Sequence, residues 1–133
     1  MNWLDRLLGR REPRPVRGVP AVRRQKNYSA ASGYAYEYFF EGYREEGGSR
    51  CYLFTVSADR KAWFGLEVAV DERAVEAWAR RHGRALADNE RYAVAKMALF
   101  EAFDERPGPE AMRAVVRVDE AEAERLLERL GIE

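Results

Sequence analysis

Reactive side chains are scarce in this chain of 133 residues, which holds one cysteine, Cys51, and one histidine, His82. A lone cysteine excludes an intramolecular disulfide framework, so a reducing, cytoplasmic setting is expected. A lone histidine excludes a His-rich metal centre; a zinc site would need carboxylates for most of its ligands. Net charge is missing too. The 23 basic residues balance 23 acidic ones, so the overall field selects no partner. No apolar run approaches the ~20 residues of a membrane span. The opening, Met1 to Gly9, lacks the apolar stretch of a signal peptide and is followed by arginines. Nucleophile-elbow, P-loop and dinucleotide fingerprints are also absent. The sequence therefore implies no cofactor and no metal.

What is present is the composition of a folded domain. Hydrophobic residues make up 47% and charged residues 35%, which excludes wholesale disorder and collagen. The length is that of one domain, large enough to bury a core without a metal or disulfide.

The basic charge is concentrated at one end. Residues 1–29 carry eight basic residues against Asp5 and Glu12, a net +6, which leaves −6 on the remainder. Three of the five prolines, Pro13, Pro15 and Pro20, lie there too. Proline fixes φ and removes an amide donor, so Glu12 to Pro20 is expected to be extended. Before it, Trp3, Leu4, Leu7 and Leu8 share one side of a short helix. The expected organisation is a basic arm with a short amphipathic helix over 1–29, then a single α+β domain over 30–133.

Of 16 aromatic residues, 11 lie between Tyr28 and Phe64. Tyr34 to Tyr43 places aromatics at alternate positions, a strand signal. It puts Tyr34, Tyr36, Tyr38 and Phe40 on one side, with Glu37, Phe39, Glu41 and Tyr43 on the other. Arg50 to Val56 reads as a central strand and Lys61 to Val70 as a third. Short turns at Glu45–Gly48 and Ser57–Arg60 make these an antiparallel meander. Asp71 caps a helix to His82, closed by Gly83. Asp88 or Asn89 caps a longer, largely apolar helix to Phe103. Met112 to Val118 reads as a fourth strand, and Asp119 with Glu122 starts a last helix to Leu130. The expected fold is an antiparallel meander of three or four strands. Two helices pack on one face, with a C-terminal helix and an extended basic arm.

Few patterns point to catalysis. A Cys51–His82 nucleophile pair is conceivable, but Cys51 sits in an apolar strand, where thiols are usually inert. His82 occupies a helix C-terminus, which suits its partial positive charge. Glu45–Glu46 and Asp104–Glu105 lie at a turn and a helix end, where carboxylates are normally solvated.

The arm carries the stronger signal. Arg10, Arg11, Arg14, Arg17, Arg23, Arg24 and Lys26 form a dispersed set suited to phosphates, and arginine-rich segments often order on RNA. A soluble tail without a role is the bland alternative, and a membrane-surface contact through the first helix ranks below both. Phe39, Leu53 and Trp63 form a second candidate surface on the sheet. The chain's own start, a second subunit in a homodimer or another partner would cover it, together with Trp3, Leu4, Leu7 and Leu8. The expectation is a non-enzymatic cytoplasmic binding or accessory protein whose macromolecular partner is protein or RNA. A small carboxylate-dependent hydrolase or transferase is the alternative.

Overall fold

A computed structural model describes residues 15–133. The aromatic alternation becomes β2 (Ala35–Glu46), preceded by the short β1 (Lys26–Ser29) and followed by β3 (Ser49–Ser57) and β4 (Phe64–Asp71). Three helices follow: α1 (Glu72–His82), α2 (Asp88–Glu105) and α3 (Pro109–Met112). Then come β5 (Val116–Val118) and α4 (Glu120–Arg129). The fold is α+β. Its sheet has five strands in the order β1-β2-β3-β4-β5.

The sheet is mixed, which corrects the purely antiparallel expectation of three or four strands. β1 through β4 pair antiparallel, whereas β5 runs parallel to β4, with Val68 beside Val116 and Val70 beside Val118. A parallel pair needs a long crossover, and residues 72–115 supply one. The fourth strand is also shorter than its apolar pattern implied. Met112 closes α3, a turn opened by Pro109 at its first helical position.

The boundary expected at residue 30 falls beyond the first strand. Lys26 faces Tyr38 and Tyr28 faces Tyr36 across the β1–β2 ladder. Only Tyr28 is apolar in this four-residue strand, so no alternation announces it. Its ring stacks on Phe100 at 4.4 Å and its hydroxyl donates to Asp104 at 2.8 Å.

Tyr36, Tyr38 and Phe40 point from β2 toward the helices. A β-bulge between Phe40 and Gly42 then shifts the register, so Tyr43 returns to the helix side and packs against Tyr52 at 5.8 Å. Strict alternation had put Tyr43 on the other face; the extra residue of the bulge reverses that. Gly42 has φ +116°, and a Cβ there would come within 2.6 Å of the Arg17 carbonyl oxygen and of Val16. Glycine at this site lets the chain at 16–19 cross against β2. Arg17 and Tyr43 exchange two backbone hydrogen bonds of 2.8 Å there.

One core joins sheet and helices. Tyr36, Phe54, Val56 and Val68 from the sheet meet Trp78 of α1, Leu99 and Phe103 of α2, and Leu126 and Leu127 of α4, all 2% exposed or less. Asp71 caps α1 by accepting from the Arg73 amide, and Gly83 ends it with φ +72°. Ala87 rather than Asp88 precedes α2, and its amide donates to the Glu90 side chain. Asp119 caps α4 through the Glu122 amide. Among the described residues no helix is long and apolar enough to cross a membrane.

Candidate functional site

The cations predicted from the arm meet different fates. Arg10, Arg11 and Arg14 lie outside the described residues, as do Trp3, Leu4, Leu7 and Leu8. Arg17 is fixed to β2 through its backbone. With Glu45, Glu46 and Glu72 it lines an open cleft at the end of the β2–β3 hairpin.

Arg23 lies over the outer face of the sheet. Its guanidinium makes a two-pronged pair with Glu41 at 2.7 and 2.8 Å and sits 3.7 Å above the Phe39 ring. Thr55 adds a hydroxyl donor to the same carboxylate at 2.5 Å. The Arg23 hydrogen bond holds the Glu41 carboxyl below the usual carboxylate range. Arg23 therefore already has an anion within the chain. Alternation had placed Glu41 beside Phe39 on this face, but its partner lies eighteen residues away in sequence, outside the reach of any local pattern.

The surface residues on this face are only partly assembled. Phe39 meets Trp63 at 5.5 Å between ring centroids, and Trp63 is 37% exposed. Leu53 lines a neighbouring cleft of about 670 Å³ with Val16, Arg44, Thr55, Glu67 and Val115. Beside the patch, Glu37 accepts from Arg60 at 2.8 Å and from Gln25 at 3.2 Å. These donors hold it below the usual range, Arg60 first.

Arg24 and Lys26 end elsewhere. They stand at the rim of a pocket of about 250 Å³ whose walls are Pro20, Val22, Tyr38, Phe40 and Tyr92. Phe40 and Tyr92 approach to 4.7 Å with a 52° tilt. Tyr38 forms the buried wall; burial, then neighbouring Tyr92, pushes its hydroxyl up to about 12. It therefore stays a neutral phenol. Lys96 approaches from α2, its Nζ 6.0 Å from the Tyr38 and Tyr92 ring centroids and 5.8 Å from that of Phe100. Burial, and then the charge of Lys26, pushes the Lys96 ammonium below the ordinary lysine value.

Two of the chain's three lysines thus repel one another beside one aromatic pocket. No carboxylate lines it. Among the described residues Arg24, Lys26 and Lys96 make no ion pair, whereas Arg50, Arg60, Arg81, Arg84, Arg91 and Arg125 each do. Like charges held together without a counter-ion are unfavourable, and such groups concentrate at sites with a use for them.

Lys96 and Tyr92 were not singled out as site residues from the sequence. A signal existed. Lys96 is the one cation in the apolar stretch from Tyr92 to Phe100, and the spacing 92, 96, 100 sets it between two aromatics on one helix face.

The two scarce residues lie in separate settings. Cys51 is buried in β3, and burial raises its thiol above the ordinary cysteine value. The His82 ring stacks on Trp78 at 4.2 Å, with Nε2 3.1 Å from Glu124. Compared with known proteins, the chain matches no family model, no curated protein and no solved structure.

Proposed function

We propose that the protein is a non-enzymatic binding module for single-stranded RNA, acting in the cytoplasm, where a single thiol stays reduced. One observation carries this reading: Arg24 and Lys26 line an aromatic pocket with no carboxylate in its lining, and Lys96 stands beside its Tyr92 wall, at the root of the basic arm. Single-stranded nucleic acid is held by such a combination, with cations tracking phosphates and aromatic faces stacking bases. Arg10, Arg11 and Arg14 add basic charge earlier in the sequence, and each phosphate contact they make adds to affinity by releasing counterions. Arg23 takes no part, because Glu41 neutralises it.

The test is retention of a labelled single-stranded oligonucleotide as salt is raised. The full chain should bind at low salt, and its affinity should fall linearly on a logarithmic salt scale. Neutralising Arg24 and Lys26 together should flatten that line, with about the same loss for every base sequence. Absence of retention at low salt for both RNA and DNA contradicts the proposal.

A further inference from the structure

The aromatic pocket is lined by aromatic rings and two cations without any carboxylate. The hairpin-end cleft is lined by Glu45, Glu46 and Glu72, and the outer-face cleft holds Glu41 and Glu67. In the aromatic pocket, Arg24 and Lys26 share the lining with apolar and aromatic side chains, and Lys96 Nζ stands 6.0 Å from the Tyr92 ring centroid. Its volume of about 250 Å³ falls below the roughly 300–1,000 Å³ of sites for drug-sized ligands. It suits one flat ring system rather than a cofactor or a length of chain. The complementary ligand is flat and weakly polar at one end and anionic at the other.

We propose that the pocket receives one unstacked base of single-stranded RNA, with the adjoining phosphate on Lys26, Lys96 and Arg24. The base enters between the chain at Pro20–Val22 and the Phe40–Tyr92 wall, and its face lies on Tyr92. The neutral Tyr38 phenol at the back adds no charge. The phosphate stays beside the pocket, where it supplies a counter-charge that no described carboxylate gives the two lysines. Charge-assisted bonds to partly desolvated ammonium groups are among the stronger contacts available. An acidic peptide would satisfy the cations but leave the aromatic interior without a ligand group. This inference rests on the RNA reading above and adds the residue that discriminates a stacked base from a phosphate.

The experiment uses the full chain, a fluorescent single-stranded oligouridylate and fluorescence anisotropy, with circular dichroism confirming that each variant folds. Tyr92→Leu keeps the wall apolar and removes the stacking face. It should weaken binding about tenfold while leaving the salt dependence unchanged, and Tyr92→Phe should restore affinity. Lys96→Gln should instead lower the salt slope by roughly 0.7, the value of one contact on a single strand. Adenosine monophosphate should compete at concentrations where inorganic phosphate and a phosphotyrosine peptide do not. Unchanged binding in Tyr92→Leu, or competition by inorganic phosphate or the peptide equal to that of the nucleotide, overturns the pocket assignment and leaves the RNA reading standing. No retention of RNA by the unaltered chain overturns both.

Discussion

The chain at 20–26 meets the sheet on both sides of β2, and the two sides treat its cations in opposite ways. On the outer face Arg23 finds Glu41 at 2.7 Å and lies flat on Phe39. Toward the helices Arg24 and Lys26 find aromatic rings and another lysine. Adjacent residues of one basic arm thus divide between an internal fastening and a charged rim. A count of basic residues cannot separate these roles, because they depend on which side of the strand each side chain meets and whether an acid stands there.

The largest expected effect removes what both sides share. Leu99 is fully buried at the centre of α2, so Leu99→Ala should cost roughly 2–5 kcal/mol in chemical denaturation. A near-neutral result would mean that α2 is not the support for the pocket and the sheet.

Next in size is the crossing that positions both sides. In Gly42→Ala the new Cβ would come within 2.6 Å of the Arg17 carbonyl, at a φ of +116°. Strain and crowding of this kind cost about 1–3 kcal/mol. The variant should lose hydrogen-exchange protection at the Arg17 and Tyr43 amides before the rest of the sheet. Equal protection in variant and parent would show that the crossing does not depend on glycine.

The pocket side has its own pH signature. Burial holds Lys96 below the ordinary lysine value of 10.5. Between its folded and unfolded values the unfolded chain binds more protons, so stability rises with pH across that window and levels off above it. Lys96→Met should be modestly more stable than the parent at neutral pH, and the difference should shrink toward pH 10.5. Thermal melts across the alkaline range read this directly. A constant difference would contradict the burial.

On the outer side stability also rises with pH, but in the carboxylate range and by less. The Glu41 carboxyl is held low, mainly by Arg23. Its stabilisation is present above the ordinary carboxylate value and is lost as pH falls through the lowered one. Arg23→Gln should therefore matter little, since exposed pairs contribute little. The small difference from the parent should vanish in acid melts. A difference that grows in acid would place the stabilisation on another group.

Much of the fold was legible because its signals are local. Alternation marked β2 and β4, a run apolar on both sides marked β3, and Asp71, Gly83 and Asp119 marked helix ends through caps that need only neighbouring residues. β1 was hidden because Tyr28 is its one apolar residue, and its place comes from stacking on Phe100, seventy-two residues away. The direction of β5 was hidden because apolar pattern carries no sense of direction, and only the crossover through the helices sets it. The bulge defeated strict alternation at Tyr43. Of the candidate site, Arg24 and Lys26 were visible as charges. Their partners Tyr92 and Lys96 were not, because a wide apolar stretch reads as core even where one edge of it opens to a pocket.

Under the proposal, Lys96, with no carboxylate partner among the described residues, contacts an anionic strand, and Arg23, paired with Glu41, does not. The most direct measurement compares the salt slope of oligouridylate binding for Lys96→Gln with that for Arg23→Gln combined with Glu41→Gln, which leaves the local charge unchanged. The slope should be lower by roughly 0.7 for the first and unchanged for the second. An unchanged slope for Lys96→Gln beside a reduced one for the paired variant would contradict the proposal.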